Sequence, residues 1–254
     1  MLRVEPRLSV QSFDDDKEAD APRIILVHGV MDRGASFSRV VGYLYDEIVV
    51  TYDRRGYAHS MDAPISESLD THVDDLIDVI GDTPSYLIGH SLGGAITLTV
   101  AARRPELVKA VGVYESPLPW LPDWPTAASS GRAFADDTDP ATAAENFMRY
   151  ISGNEAWEML PMKTQQQRKA EGPALMADMR MLHVDAAPFA ISDVTVPVSV
   201  AGGSTTQEHH KQGCEVMAKL FNTEVQWIDG AGHGGHMSHP GPFATFVRRT
   251  MRNS

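Results

Sequence analysis

The chain has 254 residues, 43% hydrophobic and 22% charged, an ordinary globular composition with length for one α/β domain carrying an inserted cap. Its 22 Lys and Arg against 34 Asp and Glu give a net charge of −12, which excludes the basic stripe that duplex nucleic acid requires and argues against adhesion to anionic membranes. One cysteine, Cys214, excludes an internal disulfide; no run approaches about 18 apolar residues and the N-terminus lacks the apolar stretch of a signal peptide, so the expectation is a cytoplasmic protein.

The first half alternates two patterns. Arg23–Gly29 (RIILVHG) and Glu47–Asp53 (EIVVTYD) are short, nearly continuous apolar runs, as strands covered on both faces should be. Asp70–Ile80 spaces Val73, Leu76, Ile77 and Ile80 at the 3,4 intervals of one helix face. Ser85–Gly89 reads as a strand, Leu92–Arg103 as an apolar helix stopped near Pro105, and Val108–Tyr114 as another strand. Alternation with short connections predicts right-handed βαβ units and a mostly parallel, doubly wound sheet.

From Ser116 to Val194 the pattern changes. Pro117, Pro119, Pro122 and Pro125 crowd the start, no strand-like run follows, and helical segments such as Thr142–Ile151 and Pro173–Leu182 dominate. Three of the four tryptophans and six of the twelve methionines lie here. The α/β pattern then resumes with Val196–Ala201 as strand, Gln207–Phe221 as helix, Glu224–Ile228 as strand and Pro242–Met251 as the last helix. The expected organisation is an α/β core formed by 1–115 and 195–254, with a helical lid, 116–194, inserted in it.

Gly89-His90-Ser91-Leu92-Gly93 fits G-x-S-x-G and sits where a strand ends and an apolar helix begins. That strand–turn–helix context presents a serine hydroxyl above the sheet edge at a helix N-terminus, where free N–H groups favour developing negative charge. The turn leaves room only for small neighbours, hence Gly89, Gly93 and Gly94. Ser91 is therefore the candidate nucleophile.

With this elbow, His28-Gly29 after an early strand, Asp53-Arg54-Arg55-Gly56 after the next and Gly230-Ala231-Gly232-His233 after the last, the chain resembles the α/β-hydrolase superfamily over nearly its whole length. It looks most like the small esterase-like members with a helical lid. The resemblance implies His233 as the base, with His236 as competitor, and oxyanion donors from the N–H of Leu92 and of Val30, with Met31 as the neighbour that could serve instead. The family's usual acid is missing: Ser204 or Thr205 occupies its place. Glu115, ending the strand that follows the elbow helix, is the favoured substitute, with Glu208 and Asp193 as alternatives. DRRG is expected to form a structural ion pair and turn. His28 and His90 support loop geometry, His209 and His210 form a solvated face, and His59, His72 and His183 take surface or packing roles. His233, His236 and His239 recur at intervals of three, but their Gly- and Pro-rich segment is unsuited to a zinc site. No metal or cofactor is expected.

The apolar lid residues Trp120, Trp124, Phe134, Phe147, Met148, Trp157, Met159 and Met162, together with Met31, suggest a pocket for an acyl or aromatic group. The implied function is a cofactor-free serine hydrolase acting on a small ester, lactone or thioester through an acyl-enzyme. Alternatives are a carbon–carbon bond hydrolase, perhydrolase or lyase on the same triad, or a non-catalytic binder of a small ligand on the same fold. The partner is a small molecule, neutral rather than polyanionic on the chain's charge. Nothing in the sequence fixes an oligomeric state.

Overall fold

A computed structural model of the protein describes residues 8–13, 21–121, 124–125, 139–182 and 186–253. Phe134 and His183 lie outside the described residues. In chain order the elements are β1 (Val10–Phe13), β2 (Ile24–Val27), α1 (Ser38–Tyr43), β3 (Val49–Tyr52), α2 (Leu69–Ile80), β4 (Ser85–His90), α3 (Leu92–Arg103) and β5 (Val108–Tyr114). There follow α4 (Pro140–Ser152), α5 (Asn154–Met159), α6 (Met162–Ala170), α7 (Gly172–Met181), β6 (Val198–Gly203), α8 (Glu208–Leu220), β7 (Val225–Ile228), α9 (Gly235–Ser238) and α10 (Pro240–Arg252). Among the described residues seven strands form one sheet in the order β1-β3-β2-β4-β5-β6-β7, parallel except for the antiparallel β1–β3 edge pair.

The continuous apolar runs have a direct cause. On β2, Ile25 and Val27 enter one core with α2, α3 and α8, while Ile24 and Leu26 enter a second core with α1 and α10. Both faces of the strand are covered, so no residue alternates to solvent. Helix α3 is buried from Leu92 through Ala101, which explains why it is apolar all round instead of amphipathic. Of the sheet-domain elements, β1 and α1 leave little trace in the sequence pattern. β1 is a four-residue edge strand with three exposed residues, and α1 buries only Val40; neither carries enough apolar periodicity to read.

Helices α4 to α7 fall between β5 and β6 and pack a third cluster, in which Trp157, Met148, Leu175 and Met179 surround Met31 and Tyr57 from the sheet domain. Buried charge joins the two parts. The Arg54 guanidinium donates to both carboxylate oxygens of Asp178 at 3.1 and 2.6 Å, and the Tyr57 hydroxyl donates to Asp178 at 2.6 Å. Glu171, also buried, accepts from Arg33, Arg168 and the Ala58 N–H. Burial opposes the Asp178 charge, but Arg54 outweighs it and holds the carboxyl below its ordinary value. Removing one partner strands the other charge in the interior. Asp178→Ala is expected to lower stability by about 3–5 kcal/mol, seen as a fall in Tm on the order of 10 °C. An unchanged melting curve would show that the Arg54 charge is compensated elsewhere.

Candidate active site

The ladder between β4 and β5 carries the elbow. Its last pair is His90 with Tyr114, and the Ser91 N–H continues it by donating to the Tyr114 carbonyl at 2.9 Å. Ser91 itself takes φ 52° and ψ −127°, a left-handed backbone that a serine rarely adopts. The turn holds only because the following helix lies hard against the sheet. A Cβ on Gly93 would sit 2.2 Å from the Val27 carbonyl oxygen, which is backbone and cannot swing away. Gly93→Ala should therefore destabilise the fold by about 3 kcal/mol or more, read as a lower midpoint in urea unfolding. Wild-type stability would mean that helix and strand are free to separate.

Met31 at φ 52° and Glu115 at φ 49° are strained in the same way. Among the described residues, three of the five non-glycine positions with positive φ thus cluster at the C-terminal strand ends, where ligand sites of open α/β sheets gather.

Glu115 directly follows β5, and its N–H donates to Ala201 of β6. Its buried carboxylate accepts from the Gly203 N–H at 2.7 Å, the Thr206 hydroxyl at 2.9 Å and His233 Nδ1 at 2.7 Å. Burial opposes its charge, but the His233 hydrogen bond, then the His233 charge and the Gly203 N–H, outweigh burial and lower the carboxyl to about 2. It is ionised at neutral pH. Of the other two acid candidates, Asp193 accepts from its own Ala190 N–H, and Glu208 accepts from Gln212 within α8. Ser204, at the family's acid position, instead pairs with Asp229.

His233 arrives on the loop after β7, two strands away from β5, so the loop must cross β6. Gly203 permits this: a Cβ there would lie 2.2 Å from the Ala231 carbonyl. The loop is then fixed from below, with the Tyr114 hydroxyl donating to the Gly232 carbonyl at 2.7 Å and His90 Nε2 donating to the His233 carbonyl at 2.9 Å. Nδ1 bonds the carboxylate and leaves Nε2 as the free nitrogen. Burial lowers the His233 pKa and the bond to Glu115 partly restores it, so the ring is neutral at pH 7. Among the described residues the Ser91 hydroxyl has no hydrogen-bond partner; contacts of this kind commonly tighten only once substrate is bound.

Leu92, at the first turn of α3, and Val30 have N–H groups without partners among the described residues. The Gly29 carbonyl, by contrast, is gripped by Arg54 at 3.0 Å, and Arg54 Nε holds the His28 carbonyl at 3.2 Å. In a trans peptide the C=O and the next N–H point in opposite directions, so the grip on Gly29 turns the Val30 N–H away from Arg54. The DRRG turn thus supplies the ion pair expected of it, and orients the loop after β2 as well.

Histidines provide the main departure from the sequence reading. His210 does not lie on a solvated face: its ring stacks on His233 at 4.3 Å between centroids and 13° between planes, with Nδ1 3.9 Å from Glu115. Burial, then the neighbouring His233, lowers its pKa to about 3. The physical reason is topological: α8 starts directly above the C-terminal end of β6, so its first turn faces the site. His236 turns into the core, at 0% exposure, and His239 bonds Ser238 on the surface, so the three histidines of the loop diverge. Asp32, unremarked in the sequence, lies 3.2 Å from His236 and 3.6 Å from His90.

The apolar pocket residues are scattered. Met31 and Trp157 are buried inside the third cluster, with Phe147 packed against it. Trp120 stacks edge-on against Phe189, and the Trp124 ring covers Gly213 of α8. Met159 and Met162 are exposed and line no interior. Cys214 is buried and its thiol pKa is pushed up by burial, which excludes it as a nucleophile.

The chain shares its family pattern and its fold with known proteins. The model of the alpha/beta hydrolase family matches residues 24–246. The chain is 25% identical over 248 residues to the Bacillus subtilis hydrolase YraK, covering 88% of this chain and 86% of that one. It is 21% identical over 273 residues to the mouse sn-1-specific diacylglycerol lipase ABHD11, covering 91% and 81%. A crystal structure from a study of carboxylesterases of Nitrososphaera gargenis superposes with a TM-score of 0.71 at 16% identity, covering 96% and 94%. No helix among the described residues is long and apolar enough to cross a membrane.

Proposed function

The chain belongs to the alpha/beta hydrolase family, and from that premise we propose that it is a serine hydrolase cleaving a small ester, lactone or thioester through an acyl-enzyme. The observation that carries the reading is the 2.7 Å bond between His233 Nδ1 and a buried, ionised Glu115, one strand from a serine in an elbow conformation. Ser91 attacks the carbonyl carbon. His233 Nε2 takes the hydroxyl proton and later gives it to the leaving group. Glu115 holds the ring in the tautomer that leaves Nε2 free and stabilises the imidazolium as it forms. The negative oxygen of the tetrahedral intermediate is met by the N–H groups of Leu92 and Val30, the second aimed by the Arg54 grip on Gly29. Water, activated by the same ring, then releases the acid. The core is 1–115 with 195–254, and the helical segment 116–194 caps it.

An ester substrate is supported by the lipase and carboxylesterase names among the similar proteins. The test is a panel of neutral p-nitrophenyl esters of increasing acyl length beside a vinylogous diketone. Ester hydrolysis with saturation is the expected result. Cleavage of the diketone with no ester turnover would replace this reading with carbon–carbon bond hydrolysis.

A further inference from the structure

Asp32, His90 and His236 come from three separate segments: the loop after β2, the end of β4 and the short helix α9 that follows β7. They meet in the interior at 8%, 5% and 0% exposure. Asp32 Oδ2, His90 Nδ1 and His236 Nε2 lie within 4.8 Å of one another, and although His236 Nε2 comes to 3.2 Å from Asp32 Oδ2, no well-aligned hydrogen bond joins the three. Such a convergence of unpaired atoms is not neutral. His90 Nε2 lies 2.9 Å from the His233 carbonyl, an acceptor only, so Nε2 carries the ring proton. The other nitrogen, Nδ1, then presents a bare lone pair to a carboxylate oxygen 3.6 Å away. Two acceptors facing each other in a dry interior repel unless a positive charge sits between them.

We propose that Asp32, His90 and His236 bind a divalent transition-metal ion, of the zinc class, that ties the three segments of the candidate active site together. Two imidazoles and a carboxylate are a donor set for first-row divalent metals. Ligand atoms about 2.0–2.1 Å from a tetrahedral zinc lie about 3.3 Å from each other, close to the observed 3.2 and 3.6 Å. The outer contacts fit at two of the three ligands, His90 donating its remaining N–H to a backbone carbonyl and Asp32 Oδ1 accepting from the Arg33 N–H, as metal-bound histidines and carboxylates ordinarily do, while His236 Nδ1 is buried without an acceptor. The role is positional. Asp32 follows Met31, His90 precedes Ser91, and His236 lies three residues after His233, so the ion would fix the spacing of those three segments without touching substrate.

The competing occupant is a proton, making His90 an imidazolium. Chelator-treated full-length protein titrated with Co²⁺ separates the two. The proposal expects one equivalent bound with tetrahedral d–d absorption, and a rise in Tm on the order of 5 °C at saturating metal. Asp32→Asn and His236→Asn should each lose the band. His210→Asn should keep it, because the other carboxylate–imidazole cluster, Glu115 with His210 and His233, is then broken instead. Should the core variants fail to fold, the wild-type titration still decides. No band and no shift in Tm would overturn the proposal in favour of the proton, and a band lost in His210→Asn would overturn it in favour of the other cluster.

Discussion

Ser91→Ala is expected to lower kcat on a p-nitrophenyl ester by about 10⁴- to 10⁶-fold while leaving the Tm near that of the wild type. The size follows from what the residue does. Without the hydroxyl there is no acyl-enzyme, and the rest of the site can only assist direct attack by water. The residual rate over uncatalysed hydrolysis comes from the Leu92 and Val30 N–H groups and from substrate binding, which the substitution does not touch. Stability should be spared because the Ser91 hydroxyl has no hydrogen-bond partner among the described residues to lose. The strained φ of 52° is retained with alanine, so the elbow is not relieved. A variant within tenfold of wild type would show that Ser91 is not the attacking group.

Glu115→Gln is the second large effect, a fall in kcat of about 10³- to 10⁴-fold. A glutamine is nearly the same shape and can still accept from the Gly203 N–H through its one oxygen, but its NH2 then stands where Oε2 receives Thr206 and His233 Nδ1, so the charge and the acceptor for the imidazole are lost together. His233 then has no fixed tautomer and no counter-ion when it accepts the serine proton. The pH profile adds a readout that a packing role would not move. The active form of His233 is neutral, so kcat/KM falls as pH drops through its pKa. That pKa lies below the ordinary 6.5 because burial disfavours the imidazolium, with the Glu115 bond pulling the other way. Removing the carboxylate removes the opposing pull, so the acid limb should move to still lower pH. Glu115 itself, near 2, is ionised throughout that range and contributes no limb of its own. An unshifted limb, or a rate close to wild type, would reassign the carboxylate to structure.

Much of this architecture was legible in the chain because burial on both faces of β2, β3 and β4 forces continuous apolar runs that few other arrangements produce. Ser91 was legible because its glycines answer a steric demand of the turn. Glu115 could be reached by asking which carboxylate ends a strand beside the elbow, once Ser204 stood where an acid was expected. His210 and Asp32 were not legible. Neither sits in a motif; Asp32 reaches the site on the loop after β2 and His210 on the first turn of α8, and the sequence pattern encodes neither placement. The useful signal was their place just after the C-terminal ends of β6 and β2, the same sheet edge as Ser91. The pocket residues were the least legible. An apolar side chain at helical spacing reads the same whether it faces a ligand or its own helix bundle, and Trp157 and Met31 are buried among neighbours whereas Met159 points to solvent.

The account rests on an activated serine at the end of β4, and intact mass spectrometry after exposure to a fluorophosphonate at pH 8 tests that most directly. One adduct per chain, mapped to the peptide containing Ser91 and absent from Ser91→Ala, is the predicted result. An unmodified wild-type mass, or an adduct on another residue that persists in Ser91→Ala, would contradict it.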